Sequence, residues 1–327
     1  MVYNTDMQKL ISVALDVPLN ILFDYYCDDD KAVVGSRVKV PFGASTRIGL
    51  IVEINDIGGK KNNYKIKNIY KLIDEIPILS NELLKTSKWA ATYYQYPIGQ
   101  VLFNSMSPIH RKGKNEPKKI LKVEPKTEPV ALKLNDEQSK VYNNIHKDID
   151  KYQVHYLRGV TGSGKTEVYT SLAANILKDD GQVLIMVPEI NLTPQTVDRF
   201  KKYLTINPQE YHSNLTPSQK FKVWKACRDS KKLIIIGTRS SIFLPFKNLK
   251  LIVVDEEHDQ SYKQNEMFRY NARDISIVRA KNFNCPIVLG SATPSFESIH
   301  NINIKKYKQH KLVNRYFNSK LPLITIV

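Results

Sequence analysis

Val154-His-Tyr-Leu157, followed at once by Gly159-Val-Thr-Gly-Ser-Gly-Lys-Thr166, decides the fold. A short apolar run, a glycine-rich G-x-x-x-x-G-K-[ST] loop and a helix-forming stretch from Glu167 to Leu177 read as strand, phosphate cradle and helix. The glycines let backbone N–H groups curl around an anion, and the helix N-terminus adds its partial positive charge. Gly159, Gly162, Ser163, Gly164, Lys165 and Thr166 are therefore candidate ATP-binding residues. Lys165 suits the β- and γ-phosphates, and the Thr166 hydroxyl suits Mg²⁺.

Four more apolar runs follow: Val183-Leu-Ile-Met-Val187, Leu233-Ile-Ile-Ile236, Leu251-Ile-Val-Val254 and Pro286-Ile-Val-Leu289. Continuous runs of this kind, with helical patterns in at least the first two gaps, indicate an α/β lobe built on a parallel sheet covered on both faces. Ligands of such sheets sit beyond the carboxyl ends of the strands. Each run ends in a polar motif, which predicts one shared site. After the fourth run comes Asp255-Glu256-Glu257-His258. Asp255 is the candidate Mg²⁺ carboxylate and Glu256 the candidate general base for an attacking water. Gly237-Thr-Arg-Ser240 and Gly290-Ser-Ala-Thr293 close the third and fifth runs. Thr238 and Arg239 are candidates for strand phosphates; small hydroxylated residues at strand ends can equally sense a γ-phosphate or only close a turn. In Ser261-Tyr-Lys-Gln-Asn-Glu-Met-Phe-Arg-Tyr270, aromatics alternate with cations. Tyr262, Lys263, Phe268, Arg269 and Tyr270 can stack on bases while holding the backbone, or form an ordinary packed loop.

Composition limits the partners. Among 327 residues, 49 Lys+Arg stand against 32 Asp+Glu, a net charge of +17. Residues 1–130 contribute 19 basic and 14 acidic side chains, leaving 30 and 18 for residues 131–327. Such an excess points to polyanions, nucleic acid first, or to a lysine-biased surface. Apolar content of 42% excludes wholesale disorder. No apolar stretch approaches ~20 residues, so no membrane span is expected. The first residues carry no secretory pattern, and Cys27, Cys227 and Cys285 fit neither a disulfide framework nor a zinc spacing. The expected location is the cytoplasm.

The first ~105 residues read as β-rich. Strand-like runs are Ile11–Leu15, Ser36–Val40 and Arg47–Glu53, with turns at Pro41-Phe42-Gly43 and Gly58-Gly59. A helix is predicted from Ser80, its N-cap, toward Tyr94, with Glu82 in the first turn. Trp89, Tyr93 and Tyr94 fall at helical spacing and are expected in the core. Arg111 to Pro129 holds three prolines and many charges, and reads as a linker.

The ordered set GVTGSGKTEVY, PEINLTPQ, GTRSSIF, DEEHDQSYKQ and GSATPS resembles the superfamily 2 DNA helicases, and specifically the PriA-like replication-restart family (primosomal protein N′). Phe23-Asp-Tyr25, Arg37-Val-Lys-Val-Pro-Phe-Gly43 and Tyr93-Tyr-Gln-Tyr-Pro-Ile-Gly99 extend the resemblance through the N-terminal part. The resemblance implies a 3′-DNA-end-binding domain at 1–110, a basic linker at 111–130 and a RecA-like ATP-binding lobe at 131–327. It implies that Gln138 reads the adenine edge and that His258 couples hydrolysis to DNA. It implies that Phe23, Asp24, Gly43 and Lys67 form a pocket for a 3′ end. The activity implied is ATP-dependent 3′→5′ unwinding at branched forks and single strands with free 3′ ends, alongside single-strand-binding and primosome-loading proteins. The family's winged helix, its second lobe with the arginine finger and its cysteine-rich zinc insertion have no counterpart in these residues. The expectation is therefore an N-terminal fragment, engineered or natural, with little activity of its own. A DNA-end-binding scaffold and a restriction-type translocase are the competing readings.

Overall fold

The computed structural model describes residues 8–55, 65–116, 130–160 and 162–314. The N-terminal elements are β1 (Lys9–Leu15), β2 (Phe23–Cys27), β3 (Arg37–Phe42), β4 (Ser45–Asn55), β5 (Lys67–Asn68), β6 (Lys71–Leu72), α1 (Asn81–Tyr93), α2 (Ile98–Asn104) and α3 (Pro108–Arg111). The three strand-like runs are β1, β3 and β4; β2, with its half-exposed pattern, is an addition to them. The sheet order is β5-β2-β1-β4-β3-β6, antiparallel except where β5 joins β2. Gly43, at φ +57°, makes the β3–β4 turn. Ser80 caps α1, its side chain accepting from the Leu83 N–H. The Gly58-Gly59 turn lies outside the described residues.

The second domain contains α4 (Asp136–His146), β7 (Val154–Gly159), α5 (Lys165–Lys178), β8 (Gln182–Met186), α6 (Pro194–Tyr203), β9 (Gln209–Tyr211), α7 (Pro217–Asp229), β10 (Leu233–Gly237), β11 (Leu249–Asp255), α8 (Ala272–Phe283), β12 (Ile287–Ser291), α9 (Phe296–Asn303) and β13 (Tyr307–Leu312). Its sheet runs β13-β7-β12-β11-β8-β10-β9, parallel throughout. The five apolar runs are the five central strands, buried on both faces by helices. The edges β9 and β13 are polar and half-exposed, so they carry no such run.

One apolar cluster crosses from α1 and α2 into the parallel-sheet domain, so the two domains share a core. Trp224 of α7 is buried at the seam and donates its Nε1–H to the Ser105 carbonyl at 2.8 Å. Arg279 of α8 is fully buried and forms a two-pronged pair with Glu82 of α1, with Nη2–Oε2 at 2.6 Å and Nε–Oε1 at 3.1 Å. Glu116 is clamped by Lys225 at 3.0 Å and by Arg228, both on α7. The linker expectation is corrected at its start: Arg111 closes α3, and Glu116 is an anchor because its charge finds two cations across the seam. Residues 117–129 lie outside the described residues.

Candidate functional site

The phosphate loop is built as the spacing requires. Gly162 (φ +79°) and Gly164 (φ +88°) occupy the left-handed region, and Gly164 is the N-cap of α5. Lys165 is buried at the first position of α5, donating to the Gly159 carbonyl at 2.9 Å and pairing with Glu256 at 3.1 Å. The Ser163 hydroxyl is buried and has no hydrogen-bond partner among the described residues. An orphaned donor inside a loop of backbone N–H groups is what a phosphate oxygen satisfies. Thr166 is half-buried on the next position of the same turn. The loop therefore suits a nucleoside triphosphate, and Thr166 with Asp255 supplies the oxygen donors that Mg²⁺ prefers.

Asp255 ends β11, and its Oδ1 accepts from the Tyr169 hydroxyl at 3.2 Å. Burial, with Glu256 adjacent, pushes the Asp255 carboxyl up to about 6, while Lys165 opposes the shift. Burial and then Asp255 drive the Tyr169 phenol well above its ordinary value. Gly290 makes room for this contact: a Cβ there would lie 1.7 Å from the Tyr169 oxygen. Glu256 sits at φ +46°, a strained setting for a non-glycine residue that its surroundings must hold. The strand tips thus bring Lys165, Asp255 and Glu256 together.

His258 joins two of the motifs. Its Nδ1 is 2.7 Å from Ser291 Oγ and 3.7 Å from Glu256, and its Nε2 is 3.2 Å from Thr293 Oγ1. Glu257, left without a role by the sequence, is buried and accepts from Tyr156 OH, Arg273 and the Ser295 N–H. Tyr169 was equally unassigned, although its place four residues after Lys165 puts both on one face of α5.

Four sequence expectations need correction. Gln138 is fully buried: its carbonyl oxygen accepts from Asn135 N–H, and its amide donates to the Gly164 carbonyl at 3.3 Å. Both ends of the amide are engaged by the cap of α4 and the phosphate loop, so it presents no free edge to a base. Thr238, just past the end of β10, is buried as well, its N–H donating to the Tyr211 carbonyl at 3.0 Å. Tyr262, Phe268 and Tyr270 are 1%, 2% and 9% exposed, so their rings pack inward. The Tyr262 hydroxyl lies 2.6 Å from the Asp255 carbonyl, and Phe268 packs against Tyr94, Tyr96 and Phe243. Tyr93, expected in the core, is exposed and stacks on Trp89 at 4.8 Å. Lys263 and Arg269 remain exposed on the same loop, while Arg239 donates to the Ser261 carbonyl at 3.2 Å and holds the loop in place.

In the N-terminal domain, Phe23, Asp24, Gly43 and Lys67 line one pocket of ≈ 380 Å³, which Lys65 also enters. The Phe23 ring meets Phe42 edge-on at 5.1 Å, and Asp24 accepts from Ser12 Oγ at 2.8 Å. Nothing lies within 4 Å of where a Gly43 Cβ would stand, so within the protein it is the positive φ of the turn that calls for glycine.

A phosphate loop facing a strand-end carboxylate pair, on a parallel sheet, is the arrangement of a P-loop nucleoside-triphosphatase lobe. Residues 135–302 match the DEAD/DEAH box helicase model, and the chain belongs to that family. Residues 12–107 match the 3′DNA-binding domain (3′BD) model. Over both domains the chain is similar to the Replication restart protein PriA of Haemophilus influenzae, at 34% identity across 95% of this chain and 53% of that protein. It is similar to the protein of the same name from Rickettsia conorii, at 36% identity across 98% of this chain and 48% of that one. The chain spans about half the length of the curated relatives it matches. A structure of RecG bound to a three-way DNA junction aligns over 56% of this chain and 24% of that chain, at 25% identity and a TM-score of 0.42. Among the described residues, no helix is long and apolar enough to cross a membrane.

Proposed function

We propose that this chain is the end-binding domain and first motor lobe of an ATP-dependent 3′→5′ DNA helicase of replication restart. It would bind branched forks and single strands with free 3′ ends and help reload the replisome. The observation that carries the reading is the Lys165–Glu256 pair beside Asp255 and the orphaned Ser163 hydroxyl. Gly162, Ser163, Gly164 and Lys165 would hold the phosphates, and Thr166 and Asp255 the Mg²⁺. The metal, when bound, offsets phosphate charge. Lys165 turns from Glu256 to the phosphates, which leaves the Glu256 carboxylate able to accept a proton from water. His258 passes the state of this site to Ser291 and Thr293. Phe23, Asp24, Gly43 and Lys67 form the 3′-end pocket, and Lys263, Arg239 and Arg269 face the strand.

The remaining parts of the reading are a domain division at 1–110, 111–130 and 131–327, with no winged helix between the domains, and a cytoplasmic location. Partner proteins that bind single strands or load the primosome, and a zinc insertion elsewhere in the family's chain, complete it. The family's transition-state arginine belongs to a second lobe, outside residues 131–327, so those residues alone turn over slowly. The test is ATP hydrolysis with forked DNA whose 3′ hydroxyl is free or blocked. The expected result is slow turnover that rises with the fork and falls when the end is blocked. End binding without any effect on hydrolysis would establish the scaffold reading instead.

A further inference from the structure

Tyr169 lies on the inner face of α5, buried, with its ring in the apolar cluster that joins that helix to the parallel sheet. Packing alone would be served by phenylalanine, because a hydroxyl buried at such a place needs a hydrogen-bond partner. The partner here is the strand-end carboxylate: the Tyr169 hydroxyl donates to Asp255 Oδ1 at 3.2 Å. The neighbouring strand makes room for that bond. Gly290 of β12 stands opposite Asp255 of β11 in the parallel pair. A Cβ on Gly290 would lie 1.7 Å from the Tyr169 oxygen and 3.3 Å from Asp255 Oδ1. The hydroxyl thus occupies a notch left by one missing side chain, beside the carboxylate whose position suits Mg²⁺.

Three residues of one helix then converge on the site. Lys165 and Thr166 lie in the first turn of α5, and Tyr169 follows them by four and three residues, on the same face. The main chain of Asp255 is fixed by other contacts. Its carbonyl lies 2.6 Å from the Tyr262 hydroxyl, and its Cα is in register with Gly290 on the next strand. What the backbone leaves open is the torsion of the Asp255 side chain, and the Tyr169 hydroxyl restricts it. Carboxylates that ligate metals are themselves held by hydrogen bonds from behind, and losing such a partner weakens metal binding about 10- to 100-fold. We propose that Tyr169 is a positioning residue for Mg²⁺, orienting the Asp255 carboxylate relative to Thr166, the second oxygen donor. The inference rests on the ATP and Mg²⁺ reading above. Tyr169 acts through Asp255, and α5 keeps it in register with the residues that hold the phosphates. One helix therefore sets the phosphate groups and the metal carboxylate together.

The test is the Mg²⁺ dependence of nucleotide binding by the full chain, followed with a fluorescent non-hydrolysable ATP analogue so that turnover plays no part. Tyr169→Phe keeps the ring and removes the bond. The Mg²⁺ concentration that gives half of the metal-dependent gain in affinity should rise about 10- to 100-fold, with affinity in EDTA unchanged. Gly290→Ala, which displaces the hydroxyl from Asp255, should raise the Mg²⁺ requirement as well. Combining it with Tyr169→Phe should bring melting back toward wild type and leave the Mg²⁺ requirement as high as in Tyr169→Phe alone. A hydroxyl that served only packing would move melting and Mg²⁺ requirement together. Asp255→Asn is the reference for loss of the ligand itself. A Tyr169→Phe chain with the wild-type Mg²⁺ requirement, while Asp255→Asn raises it, would overturn the positioning role and leave the ATP site standing. An equal loss of affinity in EDTA would overturn it too, since the hydroxyl would then support the phosphate loop. If Asp255→Asn also behaves as wild type, the reading of Asp255 as the metal carboxylate falls, and this proposal with it.

Discussion

Glu82→Ala tests how the two domains are joined. Arg279 is fully buried between Phe246 and Phe283, with ring centroids 5.6 and 5.5 Å away. Glu82 is its sole carboxylate partner among the described residues, bonding through both oxygens at 2.6 and 3.1 Å. Its remaining contacts are the carbonyls of Ile242 and Leu244, which carry only partial charge. Removing one member of a buried pair leaves an uncompensated charge and costs about 3–5 kcal/mol. That is a fifth or more of a typical total of about 5–15 kcal/mol. Urea denaturation, followed by far-UV circular dichroism and tryptophan fluorescence, measures the loss. Both tryptophans report on the relevant region, Trp224 buried at the seam and Trp89 on α1. Glu82→Leu combined with Arg279→Met should recover most of the loss, since an apolar pair needs no charge compensation. A Glu82→Ala loss below about 1 kcal/mol, or a double variant no better than the single, would refute the reasoning.

Gly290→Ala should cost about 1–3 kcal/mol by overpacking, measured by thermal melting, and Tyr169→Phe should relieve it because the clash is with the hydroxyl. His258→Ala should leave ATP affinity intact and lower DNA-stimulated turnover ~2- to 10-fold, as loss of its links to Ser291 and Thr293 implies. Stability should also fall in mild acid through His155, which lies buried beside His310, Asp148 and Lys308. Burial first, then His310, pushes its pKa down to about 3. The unfolded chain takes up that proton near 6.5, so the contribution is complete above about 6.5 and lost as pH falls from there toward 3, by ~1.4 kcal/mol per unit. His155→Gln should flatten that slope in urea melts at pH 5–7.

The central strands were legible because each is buried on both faces, so Leu233 to Ile236 needs no context to be read. The edge strand β13, Tyr307-Lys-Gln-His-Lys-Leu312, is half-exposed and its alternation is broken by charge, which hides it. The phosphate loop and Asp255 were legible because their chemistry fixes both residue type and spacing. The loop from Ser261 to Tyr270 was legible in composition and not in orientation. Alternating rings and cations look alike whether the rings face a base or a core, and what turns Phe268 inward is Tyr94 and Tyr96, some 170 residues away in sequence. Gln138 is a similar case: its capping box with Asn135 is local and readable, while its bond to Gly164 needs the tertiary fold.

The shared seam has a consequence for any nucleic acid that engages both domains. With Trp224, Arg279 and Glu116 all fastened across it, the pocket at Phe23 and the strand tips at Asp255 belong to one gauge of fixed length. A ligand that reached both ends and did not match that gauge would itself have to deform. The cost of a mismatch would then fall on the ligand's flexibility.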